Sequence, residues 1–88
     1  MQNKIQAIQT MVDCINQQKS TFPDLVTESI IGYGFNEVEQ SIAEGINESD
    51  VDSHIMSLMH ICDVIDEEVV MPISFYSAMD EIQNYLAS

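Results

Sequence analysis

The sequence predicts an all-α fold, a compact bundle of four to five short helices. Three observations predict it. Apolar residues recur three and four apart in successive segments, the spacing of one helix face. No stretch alternates apolar and polar side chains for long enough to read as a strand. Pro23, the Gly32/Gly34 pair, Gly45 and Pro72 punctuate the chain at short intervals, where helices start and stop.

Residues 3–18 read as the first helix. Ile5, Ile8, Met11, Val12 and Ile15 make one stripe at the 3.6 period, and Gln2, Gln6, Gln9, Gln17 and Gln18 lie off it. Ser20 and Thr21 interrupt the pattern, and Pro23 suits the first turn of a second helix over about 23–31. Leu25, Val26 and one of Ile30 or Ile31 are its inward positions. Gly32-Tyr33-Gly34-Phe35 stops it in a tight turn that swings Tyr33 and Phe35 toward the core. Asn36 with Glu39 has the spacing of a capping box, so the third helix spans about 37–45, with Val38, Ile42 and Ala43 inward.

Ser49 and Asp52 repeat that spacing ahead of the fourth helix, which begins near Asp50. Val51, Ile55, Leu58, Met59, Cys62 and Ile65 carry its stripe through five turns. Asp50 and Asp52 suit the positive end of its dipole. Asp63, Asp66, Glu67 and Glu68 crowd the negative end, where the dipole opposes them. Val69-Val70-Met71 reads as an extended linker before Pro72. The fifth helix, over about 73–87, turns Phe75, Met79, Ile82 and Leu86 inward.

Eighty-eight residues form one small domain. A hydrophobic content of 45% separates it from acidic disordered chains, which lack the apolar surface to offset chain entropy. The charge is one-sided. After Lys19 there is no lysine or arginine, while 14 of the 15 acidic residues follow it, and the net charge is −13. Solubility needs only about 2–8 net charges on a small domain. The excess sets up a negative field that selects basic partners and excludes direct nucleic-acid binding. No apolar run approaches the roughly 20 residues of a membrane span, and no basic segment leads into an apolar one at the start, which favours the cytoplasm.

Chemistry-bearing motifs are sparse. Gly32-Tyr33-Gly34 lacks the preceding strand and the lysine of a phosphate loop. Asp50, Asp52 and His54 alternate, but no central glycine follows, and the twelfth position from Asn47 is Leu58, so the EF-hand order fails. His60, Asp63 and Glu67 share a helix face, which reads as a solvated acidic face with a surface histidine rather than as a metal site. Cys14 and Cys62 occupy apolar stripe positions and read as buried free thiols, bridged only if the fold brings them together. Surrounding carboxylates oppose thiolate formation, so a cysteine nucleophile is not expected. No enzyme activity, cofactor or metal is expected.

One segment resembles a known family. Asp52-Ser53 opens an acidic amphipathic helix, with Pro72 nineteen residues after the serine. In this, residues 52–72 are similar to the second helix of acyl carrier proteins, small acidic helical proteins that carry phosphopantetheine on the serine of an Asp-Ser-Leu motif. The resemblance implies a modified Ser53. It departs at His54, which follows the serine in place of an apolar residue, and in a tail after Pro72 that is short for the family's two remaining helices. Ile31-Gly32-Tyr33-Gly34-Phe35 is similar to the Met-Gly-Phe loop of ubiquitin-associated domains, without the methionine.

The carboxylates are not spread evenly. Glu37, Glu39, Glu44, Glu48, Asp50 and Asp52 form one group, and Asp63, Asp66, Glu67 and Glu68 another. Together they form a candidate surface for a basic partner, most plainly a nucleic-acid-binding protein, by mimicry of spaced phosphates or in the manner of an immunity protein. Charge supplies association rate more than tightness, so apolar anchors are needed inside the acidic rim, and Tyr33, Phe35 and Tyr76 are the candidates. The leading expectation is an inhibitor or adaptor. A carrier modified at Ser53 and a self-associating helical homodimer are the rival readings.

Overall fold

The computed structural model describes residues 2–87, with five α-helices: α1 Gln2–Gln18, α2 Asp24–Gly32, α3 Phe35–Glu44, α4 Val51–Glu68 and α5 Ile73–Ala87. Single 3₁₀ turns at Lys19–Thr21 and Glu48–Asp50 join α1 to α2 and α3 to α4. Among the described residues there is no strand, and no helix is long and apolar enough to cross a membrane.

α1 and α5 pack antiparallel. Lys4 reaches Tyr85 at one end of the pair, and Cys14 Sγ lies 3.4 Å from Ser74 Oγ at the other. Buried Ala7 and Ala78 sit in the seam, where small side chains let the two backbones approach. α4 closes the bundle through Val51, Ile55, Leu58, Ile61, Cys62 and Ile65, all buried. α2 runs antiparallel to α4. Its start, at Leu25 and Val26, lies near Val64, and its end, at Ile31 and Gly32, lies near Ser53 and Ser57.

Magnitudes decide what holds this together. Burying one Ile, Leu or Phe side chain contributes roughly 1.5–3 kcal/mol. An exposed ion pair contributes about 0–1 kcal/mol. Phe75, Ile8, Met11, Ile15, Ile30, Ile55, Leu58, Ile61, Ile65 and Ile82 are all fully buried. The apolar core therefore outweighs any charge pairing in a chain whose charges mostly repel.

Several local expectations shift. α3 starts at Phe35, two residues earlier than the Asn36 cap implies, with Gly34 as its N-cap in the left-handed region at φ 98°. Burying Phe35 requires the chain to reverse immediately before it, and a glycine accepts that conformation. Asn36 is thus inside the helix, and Glu39 bonds Asn16 instead of closing a capping box. Likewise Asn47, not Ser49, caps the turn before α4, accepting from the Ser49 N–H at 3.4 Å. Leu25 is 77% exposed, because α2 buries the Val26/Ile30 side of its short barrel. Ile31, Ala43 and Leu86 are exposed as well. Phe22 and Met71 enter the core from connecting segments, and Ile61 joins it from α4.

Candidate functional site

The first acidic group does not stay together. Glu39 accepts a 2.7 Å hydrogen bond from Asn16 Nδ2 across to α1. Glu44 accepts from Gln40 Nε2 on its own helix. Glu48 and Asp52 turn to the opposite corner, where α1, α4 and α5 meet. There Lys4 Nζ donates to Tyr85 Oη at 3.1 Å, lies 4.4 Å over the Tyr85 ring, and approaches Glu48 at 3.8 Å. Tyr85 Oη in turn donates to Asp52 at 3.2 Å. The Tyr85 hydroxyl above all, then the Glu48 and Asp52 charges, hold the Lys4 ammonium above its ordinary value of 10.5, against the opposing effect of burial. Among the described residues Lys4–Glu48 is the only ion pair. Asp50 is exposed where the 3₁₀ turn meets α4, and Glu37 is exposed in the first turn of α3.

The second group lies at the far end of the same helix. Asp63, Asp66, Glu67 and Glu68 are all exposed, and the last turn of α4 holds no basic residue. At 1.5 Å rise per residue, Asp52 and Asp66 are about 21 Å apart along the axis. That exceeds the Debye length of about 8 Å at physiological salt. Asp52 and the second group are therefore separate, not parts of one continuous patch.

What lies between them is apolar and aromatic. Asp52, Met56, His60, Asp63 and Glu67 recur at helical spacing along one face of α4, and all are exposed. Met56 is 53% exposed. The Tyr33 ring, 46% exposed, stacks on His60 with centroids 5.3 Å apart and planes 14° from parallel. Tyr33 thus points outward, where the sequence suggested inward. Beside it, a hollow of about 340 Å³ opens between the α2–α3 turn and α4, bordered by Glu37, Ser53, His54 and Ser57.

Two of the three expected anchors serve the fold instead. Phe35 is 3% exposed and belongs to the core, so it offers no contact surface. Tyr76 is half-buried, meets Phe75 edge-on at 5.6 Å, and accepts the Met71 N–H through Oη at 3.2 Å, which pins the α4–α5 linker. Met56 and His60 take their place beside Tyr33. Their signal was present in the spacing: both lie off the buried stripe of α4, on the line joining Asp52 to Glu67.

The remaining chemistry is muted. Burial foremost, then the charges of Asp63 and Asp66, push the Cys62 thiol up to about 12, so it is no nucleophile at neutral pH. Cys14 and Cys62 are both buried and unbridged. No three His, Cys, Asp or Glu side chains among the described residues gather to hold a metal ion, the His60, Asp63 and Glu67 face included. Ser53 is exposed in the first turn of α4, and one helix, α5, follows Pro72. No protein-family model, curated protein or solved structure matches the chain.

Proposed function

We propose that this protein is a small acidic binding module, an inhibitor or adaptor without chemistry of its own. It presents the outer face of α4 and Tyr33 to a basic surface on another protein, a nucleic-acid-binding protein being the class that carries such a surface. One observation supports this most: Met56 and His60, with Tyr33 stacked on His60, are exposed between Asp52 at one end of α4 and the Asp63, Asp66, Glu67 and Glu68 group at the other. An apolar and aromatic centre within a polar rim is the layout of a protein interface. The carboxylates steer the encounter, and the centre supplies tightness once water is expelled.

The test is capture of a basic protein from host extract at low salt, using the intact chain. The reading expects elution as salt rises, and loss of capture by a Tyr33→Ala/Met56→Ala variant that still folds. Capture indifferent both to salt and to that variant would overturn it. Intact mass after co-expression with a phosphopantetheinyl transferase separates this from a carrier role at Ser53, and an unchanged mass is expected.

A further inference from the structure

The hollow beside Tyr33 has a chemistry of its own. Gly34 lacks a side chain there, and at the point its Cβ would occupy two oxygens converge: Glu37 Oε2 and Ser57 Oγ, each 3.5 Å away. Both accept hydrogen bonds, and Tyr33 borders the same hollow. His54 also borders the hollow, although its Nε2 is itself buried and has no hydrogen-bond partner among the described residues.

Anion or cation is decided by charge. The first turn of α3 faces the hollow, and a helix N-terminus favours an anion. The chain already supplies one, the Glu37 carboxylate, in that first turn. A second anion would meet Glu37 and the field of a −13 molecule. A cation meets a carboxylate and a hydroxyl beside Tyr33. The Lys4 corner demonstrates the same pairing within this chain, where an ammonium is held by a tyrosine hydroxyl, its ring and a glutamate.

Resting on the reading of the protein as a binder of basic surfaces, we propose that the hollow between the α2–α3 turn and α4 is a subsite for one basic side chain of the partner. Arginine suits it better than lysine. A planar guanidinium donates to two acceptors at once through its fixed fork, whereas an ammonium acts as a point charge.

Acetyl-arginine amide, titrated into the ¹⁵N-labelled full chain at low salt, tests this. Saturable shifts centred on Tyr33, Gly34, Glu37 and Ser57 are expected, with acetyl-lysine amide weaker. Glu37→Gln lies on the exposed first turn and should leave the fold intact while weakening acetyl-arginine amide binding by up to about fivefold, the upper end of the range of an exposed ion pair. Shifts that scatter over Asp63, Asp66, Glu67 and Glu68 without saturating at the hollow would overturn the subsite, as would a Glu37→Gln variant that binds the probe unchanged. A hexa-arginine peptide in a parallel titration separates the two ideas. Salt-dependent binding of that peptide away from the hollow overturns the subsite alone, whereas no binding of it at low salt overturns the binding function as well.

Discussion

The two faces of α4 differ in what they do for the molecule. Ile55 and Met56 are neighbours in the chain, yet Ile55 is 0% exposed and Met56 is 53% exposed. The inner face carries Val51, Ile55, Leu58, Ile61, Cys62 and Ile65 into the core. The outer face carries Asp52, Met56, His60, Asp63 and Glu67 into solvent. Of these five, Asp52 and His60 make contacts outside their own helix, through Tyr85 and Tyr33. The inner face accounts for folding. The outer face also exposes Met56 and the unpaired carboxylates of Asp63 and Glu67, which the core does not use.

The largest effects should separate the two faces. Ile55→Ala removes a fully buried side chain and should destabilise by about 2–5 kcal/mol in denaturant titration. Met56→Ala, one residue on, should change stability by less than about 0.5 kcal/mol. Equal losses for the two variants would break the distinction.

Next comes binding. Tyr33→Ala/Met56→Ala should weaken a partner complex by about 2–4 kcal/mol, the size of an interface hot spot, measured by calorimetry with the melting temperature as a control. Phe35→Ala should instead act on stability, because its ring is in the core.

Which of these distinctions the sequence carries depends on segment length. α4 runs 18 residues, so its stripe through Val51, Ile55, Leu58, Cys62 and Ile65 has one phase only. α2 runs nine residues, and so few turns leave its phase open. Leu25 and Val26 compete for the inward side there, and the packed bundle buries Val26 and leaves Leu25 exposed. Phe22 and Met71 lie in connecting segments, which have no period to reveal burial. Tyr33 and Phe35 flank Gly34, and a left-handed glycine sends the two rings to opposite sides, which composition does not announce. The acidic groups were visible as positions, but their separation was not. Residues 37–52 look contiguous in the chain, and the fold sends Glu39 to α1, Glu48 to Lys4, Asp52 to Tyr85, and Glu37 to the hollow.

Smaller effects sharpen the outer face further. Asp66→Lys and Glu67→Lys place cations at the C-terminus of α4, where the dipole welcomes them. Each should stabilise by about 0.3–1 kcal/mol in denaturant titration while slowing association with a basic partner and flattening its salt dependence. Carboxylates kept at a stability cost are expected of a binding surface. A variant that gains stability and loses no association rate would reduce them to a solvated face.

The smallest effect is a pH signature at the Lys4 corner. The folded ammonium titrates above its unfolded value of 10.5, so its contribution is full below that pH and is lost as pH rises through the higher folded value. Lys4→Met should lower the denaturation midpoint at neutral pH, and the difference from wild type should shrink above about pH 10.5. Partner affinity should not change, because this corner is engaged internally.

The central claim is that the outer face of α4, and not the acidic surface at large, meets the partner. The direct measurement is the backbone NMR footprint of a lysine- and leucine-containing amphipathic helical peptide on the full chain at two salt concentrations. Shifts concentrated on Tyr33, Met56, His60, Asp63 and Glu67, with Glu48 and Tyr85 silent and the whole footprint weakening at high salt, are the predicted result. A footprint spread evenly over every carboxylate, or centred on the Lys4 corner, would contradict it.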